Sequence, residues 1–237
     1  MFTKSARFYD ALYHFKDYAK AARQLHQLIQ RDKPGARTLL DVACATGKHL
    51  EYLREYYDVE GLDLNPELLE IARKRCPEIP FHSGNMLDFK LGYEFDVVTC
   101  LFSSIAYVKT VENLNKAVAN MASHLEPGGM LIIEPFLWPE NYWTGTITAN
   151  FVDQPQLKIA WMYTSEPPKD RIAAVDIHYL VGTPEGVDQF NELHEFGLFT
   201  HHEYLSAFRK AGMDVHHDPE SLFKRGVYWG VMSKSKM

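Results

Sequence analysis

Apolar positions recur along the chain with two periods, and their alternation predicts most of the architecture. Arg37–Val42 (Arg-Thr-Leu-Leu-Asp-Val) is a short apolar run rich in strand formers that leads into a loop containing Thr46 and Gly47. In Lys48–Tyr57, Leu50, Leu53 and Tyr57 fall at helical spacing, and Asp58–Leu64 then reads as a second strand ending in an acid. Strand, helix, strand is a βαβ unit. Asn65-Pro66-Glu67 supplies a capping side chain, a proline whose missing N–H does no harm in a first turn, and an acid at the positive end of the helix dipole. A helix over Glu67–Arg75 follows from it.

Two more rounds are predicted: strands near Pro80–His82 and over Phe95–Phe102, a helix over Val111–Leu125, and a strand over Met130–Glu134 after the turn residues Pro127-Gly128-Gly129. Helices alternating with strands imply a parallel sheet covered on both faces, the α/β class. Ahead of this core, Asp17–Arg31 places Tyr18, Ala21, Leu25, Leu28 and Ile29 on one helical stripe. Residues 136–199 change pattern. They are rich in aromatics and alternate with period two, with Val175, Ile177, Tyr179 and Val181 facing one way and Asp176 and His178 the other. This predicts an antiparallel β insertion after the fifth strand, before a helix over His202–Lys210, ended by Ala211-Gly212, and two final strands near Met213–His217 and Gly226–Met232. The expected organisation is a core over 1–135, an insertion over 136–199 and a return over 200–237 that completes the core.

Composition narrows the function. With 46% hydrophobic residues in 237, the chain has enough apolar surface for a sizeable core, so disorder is excluded. The formal charge of −6 disfavours a generic nucleic-acid surface, and a small substrate is expected. Three cysteines, Cys44, Cys76 and Cys100, are an odd count in apolar surroundings, which suits buried free thiols in a reducing, cytoplasmic compartment. Neither a signal-peptide run nor about 18 successive apolar residues occurs, so no membrane partner is expected.

In open parallel sheets a ligand binds beyond the carboxyl ends of the strands, and an acid roughly 20 residues after the first turn commonly holds a ribose. Asp63 follows Asp41 by 22 positions. The turn Asp41-Val-Ala-Cys-Ala-Thr-Gly47 has the layout of the nucleotide loop of class I S-adenosylmethionine (SAM) methyltransferases, acid-x-Gly-x-Gly-x-Gly, although only its last glycine is kept. Read with Phe8-Tyr-Asp-Ala-Leu-Tyr13, Lys16-Asp-Tyr18, Leu40-Asp-Val-Ala-Cys44, Gly84-Asn-Met86, Phe102-Ser-Ser-Ile105, Leu125-Glu-Pro-Gly-Gly129 and Glu134-Pro135, the chain resembles the N,N-dimethyltransferases of dTDP-linked 3-amino sugars, of the desosamine and mycaminose type. The match is collinear over nearly the whole chain, insertion included.

The resemblance implies a Rossmann-like class I methyltransferase sheet, SAM as cofactor, and a nucleotide-linked amino sugar as the small-molecule partner, with a homodimer left open. It assigns Asp41 and the backbone around Ala43 and Ala45 to the methionine end of SAM, and Asp63 with Leu64 to the ribose side. Asn85 and Met86 fall at the adenine, Leu101 and Ser103 beside Phe102 at the methionine tail, and Tyr13 with Tyr9 in a lid over the cofactor, with core contacts of their helix as the alternative for these two rings. Asp41 and Asp63 also have a purely structural alternative as capping acids. Two departures from the family pattern stand out: Ala45 in place of the middle glycine, which fits only with a negative φ, and Asn85 in place of an aspartate.

Methyl transfer from a sulfonium to an amine is an in-line displacement that needs a neutral amine lone pair held facing the methyl group, and positioning alone contributes several kcal/mol. Tyr107 stands where a close family member has His, near the amine, and with a phenol pKa near 10 it orients rather than deprotonates, unless it merely packs on the sheet. The acceptor side is assigned to Phe2, Glu134, Trp138, Tyr142, Trp143, His178 and Arg225. Trp138, Tyr142 and Trp143 would stack on the base or form the core of the insertion, and Arg225 would pair with the diphosphate or lie in solvent. His201-His202-Glu203 and His216-His217 lack metal-ligand spacing, so no metal is expected. The alternatives to an amino-sugar enzyme are a SAM-dependent methyltransferase of another small amine and a SAM-binding module without catalysis.

Overall fold

The computed structural model describes residues 2–220 and 226–233. Its core begins with α1 (Tyr9–Leu12) and α2 (Tyr18–Asp32), followed by β1 (Thr38–Val42), α3 (Leu50–Leu53), β2 (Asp58–Asp63), α4 (Pro66–Arg75) and β3 (Phe81–Ser83). β4 (Phe95–Cys100), α5 (Val111–Ala122) and β5 (Leu125–Ile133) come next. Four antiparallel strands then intervene: β6 (Ile147–Gln154), β7 (Leu157–Thr164), β8 (Ile172–Thr183) and β9 (Gly186–Gly197). The chain returns through α6 (His201–Lys210), β10 (Met213–Asp218) and β11 (Val227–Met232).

Seven strands form the main sheet in the order β10-β11-β5-β4-β1-β2-β3, with β11 antiparallel to both of its neighbours and the others parallel. The chain steps outward from β1 to β2 and β3, then crosses back to β4, so the switch point that a parallel sheet offers to ligands lies between β1 and β4. Successive residues of β1 serve opposite faces. Leu39 packs with Leu25, Ile29, Leu53 and Leu69 on one side, while Leu40 and Val42 pack with Leu114, Val118 and Phe208 on the other. That double burial is why these strands read as continuous apolar runs.

Helix ends follow their predicted chemistry. The Asn65 side chain accepts from Glu67 N–H and Leu68 N–H, with Pro66 in the first turn. Thr200 and Glu203 close a capping box on α6 that no residue of the sequence reading anticipated. Two elements differ from expectation. The helix predicted over Lys48–Tyr57 is regular only at Leu50–Leu53, because Glu55 N–H and Tyr56 N–H bond three residues back and tighten its end into turns. The Pro127-Gly128-Gly129 segment, expected as a turn, lies inside β5 as an irregularity: Leu125 pairs with Phe95, but the next pairing joins Met130 to Val97.

The insertion forms a separate sheet in the order β6-β7-β8-β9, with β6 at an edge. Val175, Ile177, Tyr179 and Val181 are buried against Phe8 and Leu12 of the N-terminal segment, while Asp176 and His178 point outward, as the alternation predicts. The end of β9 presses on the 3₁₀ turn Ser104–Val108 that follows β4. A Cβ at Gly197 would stand 2.7 Å from the Lys109 carbonyl oxygen, so only glycine permits this approach. Gly197→Ala is therefore expected to destabilise the fold by about 1–3 kcal/mol through overpacking. Urea unfolding measures it, and an unchanged midpoint would mean that the contact between sheet and turn is slack.

Candidate active site

At the carboxyl ends of β1, β2 and β4 a cleft opens with two lobes that share Phe2, Tyr9, Ser104 and Tyr107 as walls. The first lobe, about 340 Å³, is lined by Ala43, Ala45, Leu62, Asp63, Leu64, Asn85 and Met86, among others. The second, about 390 Å³, is lined largely by aromatic rings, including Tyr13, Phe136, Tyr142, Trp143, Trp161, Tyr163 and Phe196.

The loop after β1 owes its shape to β2. Parallel pairing sets Val42 beside Leu62, and from there Cys44 N–H donates to the Leu62 carbonyl at 3.0 Å and Ala45 N–H to Asp63 Oδ2 at 2.8 Å. The other carboxylate oxygen of Asp63 accepts from Asn65 N–H at 2.8 Å. Ala43 and Ala45 both adopt left-handed conformations, with φ of 62° and 49°. The expected negative φ at Ala45 is thus overturned: the loop keeps the curl of a glycine turn and holds two alanines in it, at a cost of roughly 1–2 kcal/mol each. Phe102 and Ser103, at the end of β4, are also left-handed, with φ of 52° and 60°. Glu134 Oε2 accepts from Phe102 N–H at 2.6 Å and Ser103 Oγ donates to the Pro135 carbonyl at 2.7 Å, bonds that brace this second strained turn.

The structure divides the residues expected at the cofactor between the two lobes and places outside them. Ala43, Ala45, Asp63, Leu64, Asn85 and Met86 share the first lobe, whereas Tyr13 and Ser103 line the second. Leu101 sits at a narrow extension beside Tyr18 and His49. Asn85 Oδ1 is engaged by Leu87 N–H at 3.0 Å, leaving one lone pair and the amide NH₂ for a ligand. Asp41 lies beneath the floor, where its carboxyl accepts from Thr99 Oγ1 at 2.7 Å.

Of the residues expected at the acceptor, Phe2, Tyr142 and Trp143 wall the aromatic lobe. Glu134 does not, because its buried carboxyl is turned to the Phe102 backbone. Trp138 packs instead, with its ring tilted, near His201 and His217, beyond the lobe. His178 stands on the outer face of β8, within 3.5 Å of Asp176, because its parity is opposite to that of Tyr179. Arg225 lies outside the described residues.

The sequence reading missed Trp161, Glu192 and His194. Trp161 Nε1, buried at the aromatic lobe, has no hydrogen-bond partner among the described residues. His194 Nδ1 lies 2.8 Å from the Tyr107 hydroxyl. The available signal was parity: in Phe190-Asn-Glu192-Leu-His194-Glu-Phe196, two polar residues alternate on the apolar side of the strand.

Burial dominates the site's electrostatics. It pushes the Tyr107 phenol well above its ordinary range, with Tyr13 and Tyr179 adding to the effect, so this hydroxyl keeps its proton at neutral pH. Burial likewise pushes the Asp41 carboxyl up to about 7, against the Thr99 hydrogen bond and with the Asp63 charge adding to it.

Comparison with known proteins agrees with this geometry. A family model described as a methyltransferase domain matches residues 39–129. The dTDP-3-amino-3,4,6-trideoxy-alpha-D-glucopyranose N,N-dimethyltransferase of Streptomyces venezuelae is 39% identical over 94% of this chain and 95% of its own. The chain belongs to the nucleotide-sugar N,N-dimethyltransferases. A second member of this family, the dTDP-4-amino-2,3,4,6-tetradeoxy-D-glucose N,N-dimethyltransferase of Saccharopolyspora spinosa, is 38% identical over 95% of this chain and 92% of its own. The SAM-bound structure of CalS10, an amino pentose methyltransferase from Micromonospora echinaspora, superposes with a TM-score of 0.86 at 33% identity, covering 98% of both chains.

The protein is thus a SAM-dependent methyltransferase with a Rossmann-like sheet, and its first lobe suits the cofactor chemically. Asp63 retains carboxylate lone pairs for hydroxyl donors, and Leu62, Met86 and Val108 offer apolar walls to an adenine ring.

Two outcomes follow for the cofactor lobe. Ala45→Gly should stabilise the enzyme by up to about 1 kcal/mol, the relieved strain being offset by roughly 0.4–1 kcal/mol of unfolded-state entropy, whereas Ala45→Val should destabilise it. Denaturation midpoints decide between strain and tolerance. Because the folded pKa of Asp41 is raised, its stabilising contribution is complete below an unfolded pKa near 4 and is lost as pH rises through about 7. Without ligand, Asp41→Asn should match wild type below about pH 4 and exceed it above pH 7, by on the order of a few kcal/mol. Thermal melts across that range test it, and a constant difference would show an ordinary carboxyl.

Proposed function

We propose that the enzyme transfers methyl groups from SAM to the amine of a dTDP-linked amino sugar, first to the primary and then to the secondary amine, by in-line displacement. The observation that carries this reading is the shared wall: Tyr107 belongs to both the lobe suited to SAM and the aromatic lobe beside it, so an amine in front of its hydroxyl faces the point where the lobes meet. Asp63 holds the ribose hydroxyls, Asn85 and Met86 the adenine, and the loop through Ala43 and Ala45 the methionine end. SAM supplies an electrophilic methyl group. The chain supplies position and excludes water, with Tyr107 as an uncharged orienting group rather than a base.

The aromatic lobe supports a nucleotide acceptor. Tyr142 and Trp143 offer ring faces for a base, and the unpaired Trp161 Nε1–H suits an oxygen of the sugar or diphosphate. The two dimethyltransferases above are named for amines at different carbons of the sugar, so substrates with the amine at either carbon belong in the test. Incubated with SAM and dTDP-linked 3-amino or 4-amino sugars, the enzyme should add one and then two methyl masses to one of them. Mass gain on neither, with SAM still raising the melting temperature, would move the acceptor to another amine class. Trp161→Phe, which removes only the N–H, should weaken the acceptor about fivefold, the loss of one hydrogen bond near 1 kcal/mol, at unchanged SAM affinity.

A further inference from the structure

Behind Tyr107 lies a buried polar chain that touches neither lobe of the cleft. The Tyr107 hydroxyl is 2.8 Å from His194 Nδ1, and His194 Nε2 is 3.8 Å from Glu192 Oε2. Both residues lie on the inward side of β9, and the His194 side chain is 1% exposed. Glu192 in turn accepts from Thr3 N–H at 2.9 Å, Thr3 Oγ1 at 2.6 Å, Ser5 N–H at 3.0 Å and the Ser5 hydroxyl. These four donors match the lone-pair capacity of the carboxylate, and its Oε2, which also accepts the Ser5 hydroxyl, lies beyond hydrogen-bond reach of His194 Nε2, a buried nitrogen with no hydrogen-bond partner among the described residues.

We infer that His194 is a positioning residue for methyl transfer: its Nδ1 accepts a hydrogen bond from the Tyr107 hydroxyl, so that the phenol oxygen presents its lone pairs to the acceptor amine. The negative Glu192 carboxylate 3.8 Å from Nε2 favours the tautomer protonated there by its charge rather than by a hydrogen bond, which leaves Nδ1 bare as an acceptor. With its proton thus committed, Tyr107 can only accept from the amine N–H, and this turns the nitrogen lone pair away from the phenol and toward the methyl group. Were the hydroxyl free to rotate, it would donate to that lone pair and quench the nucleophile. Burial keeps the imidazole uncharged, pushing its pKa down to about 4. Although burial raises it, the Glu192 carboxyl is held below its ordinary range by the hydrogen bonds from Ser5 and Thr3. The demand is sharper in the second transfer, because a secondary amine has one N–H with which to find the phenol oxygen and a primary amine has two.

This inference rests on the reading that an amine sits before Tyr107, and its test separates the two. In a double-mutant cycle, His194→Leu and Tyr107→Phe should each lower kcat about fivefold with SAM affinity unchanged, and the double variant should be no slower than either alone. His194→Asn, which restores an acceptor near the Nδ1 position, should recover most of the loss. His194→Leu should also release monomethylated product. Losses that multiply to about 25-fold, or an Asn variant as slow as Leu, would reduce His194 to a packing residue. Should the Leu variant fail to fold, ¹⁵N spectra of wild type decide: Nε2 protonated with Nδ1 bare supports the inference, and a proton on Nδ1 overturns it. The spectra need no turnover, so wild type inactive on amino sugars would defeat the substrate reading alone.

Discussion

The hydrogen bond from Ala45 N–H to Asp63 Oδ2 ties the loop after β1 to the end of β2, and the cofactor lobe takes its shape from it. A parallel pair delivers both residues to the same edge of the sheet, so a carboxylate at the end of one strand can hold the turn that follows its neighbour. The bond also explains how two alanines persist in left-handed backbone. Strain in a loop survives when the surroundings over-determine it, and here the carboxylate, the Leu62 carbonyl and the Gly47 turn each fix one amide. Asp63 therefore serves the protein before it serves any ligand, which weakens the opposition between a structural and a binding role for this acid.

A second carboxylate performs a corresponding task for the segment that walls both lobes. Glu192 gathers the backbone and hydroxyls of Thr3 and Ser5, and so fastens the segment that places Phe2 over both lobes. Asn65 fixes the same segment from the opposite wall, its side-chain NH₂ donating to the Phe2 carbonyl at 2.8 Å while its oxygen caps α4. The roof is held from the core sheet and from the insertion alike, and Tyr107 stands where the two meet.

Much of this was legible in the chain because it depends on period and spacing. The main sheet, the insertion and the Asp41–Asp63 interval follow from apolar alternation and from the geometry of a βαβ unit. The outward direction of His178 was in the pattern too, since it alternates against Tyr179, yet its chemistry drew it into the site. The parity that turns His178 out turns His194 in. What could not be read were features set by tertiary contact: the positive φ of Ala45, which no local preference announces; the bulge that absorbs Pro127–Gly129 into β5; and the seat of Trp138 against the histidines of α6 and β10. Glu134 is the clearest instance, a buried acid at a strand end whose type suggests a ligand and whose geometry serves the Phe102 backbone.

The edge position of β6 carries a consequence for substitution. Thr148 and Asn150 from this strand line the aromatic lobe, yet β6 is paired on one side only and contributes no residue to the first lobe. Replacements there disturb one ladder of backbone bonds and no packed sheet face of the core. Change along this one margin of the molecule can thus reshape the walls of the aromatic lobe while the loop through Ala43 and Ala45 and its Asp63 anchor stay as they are.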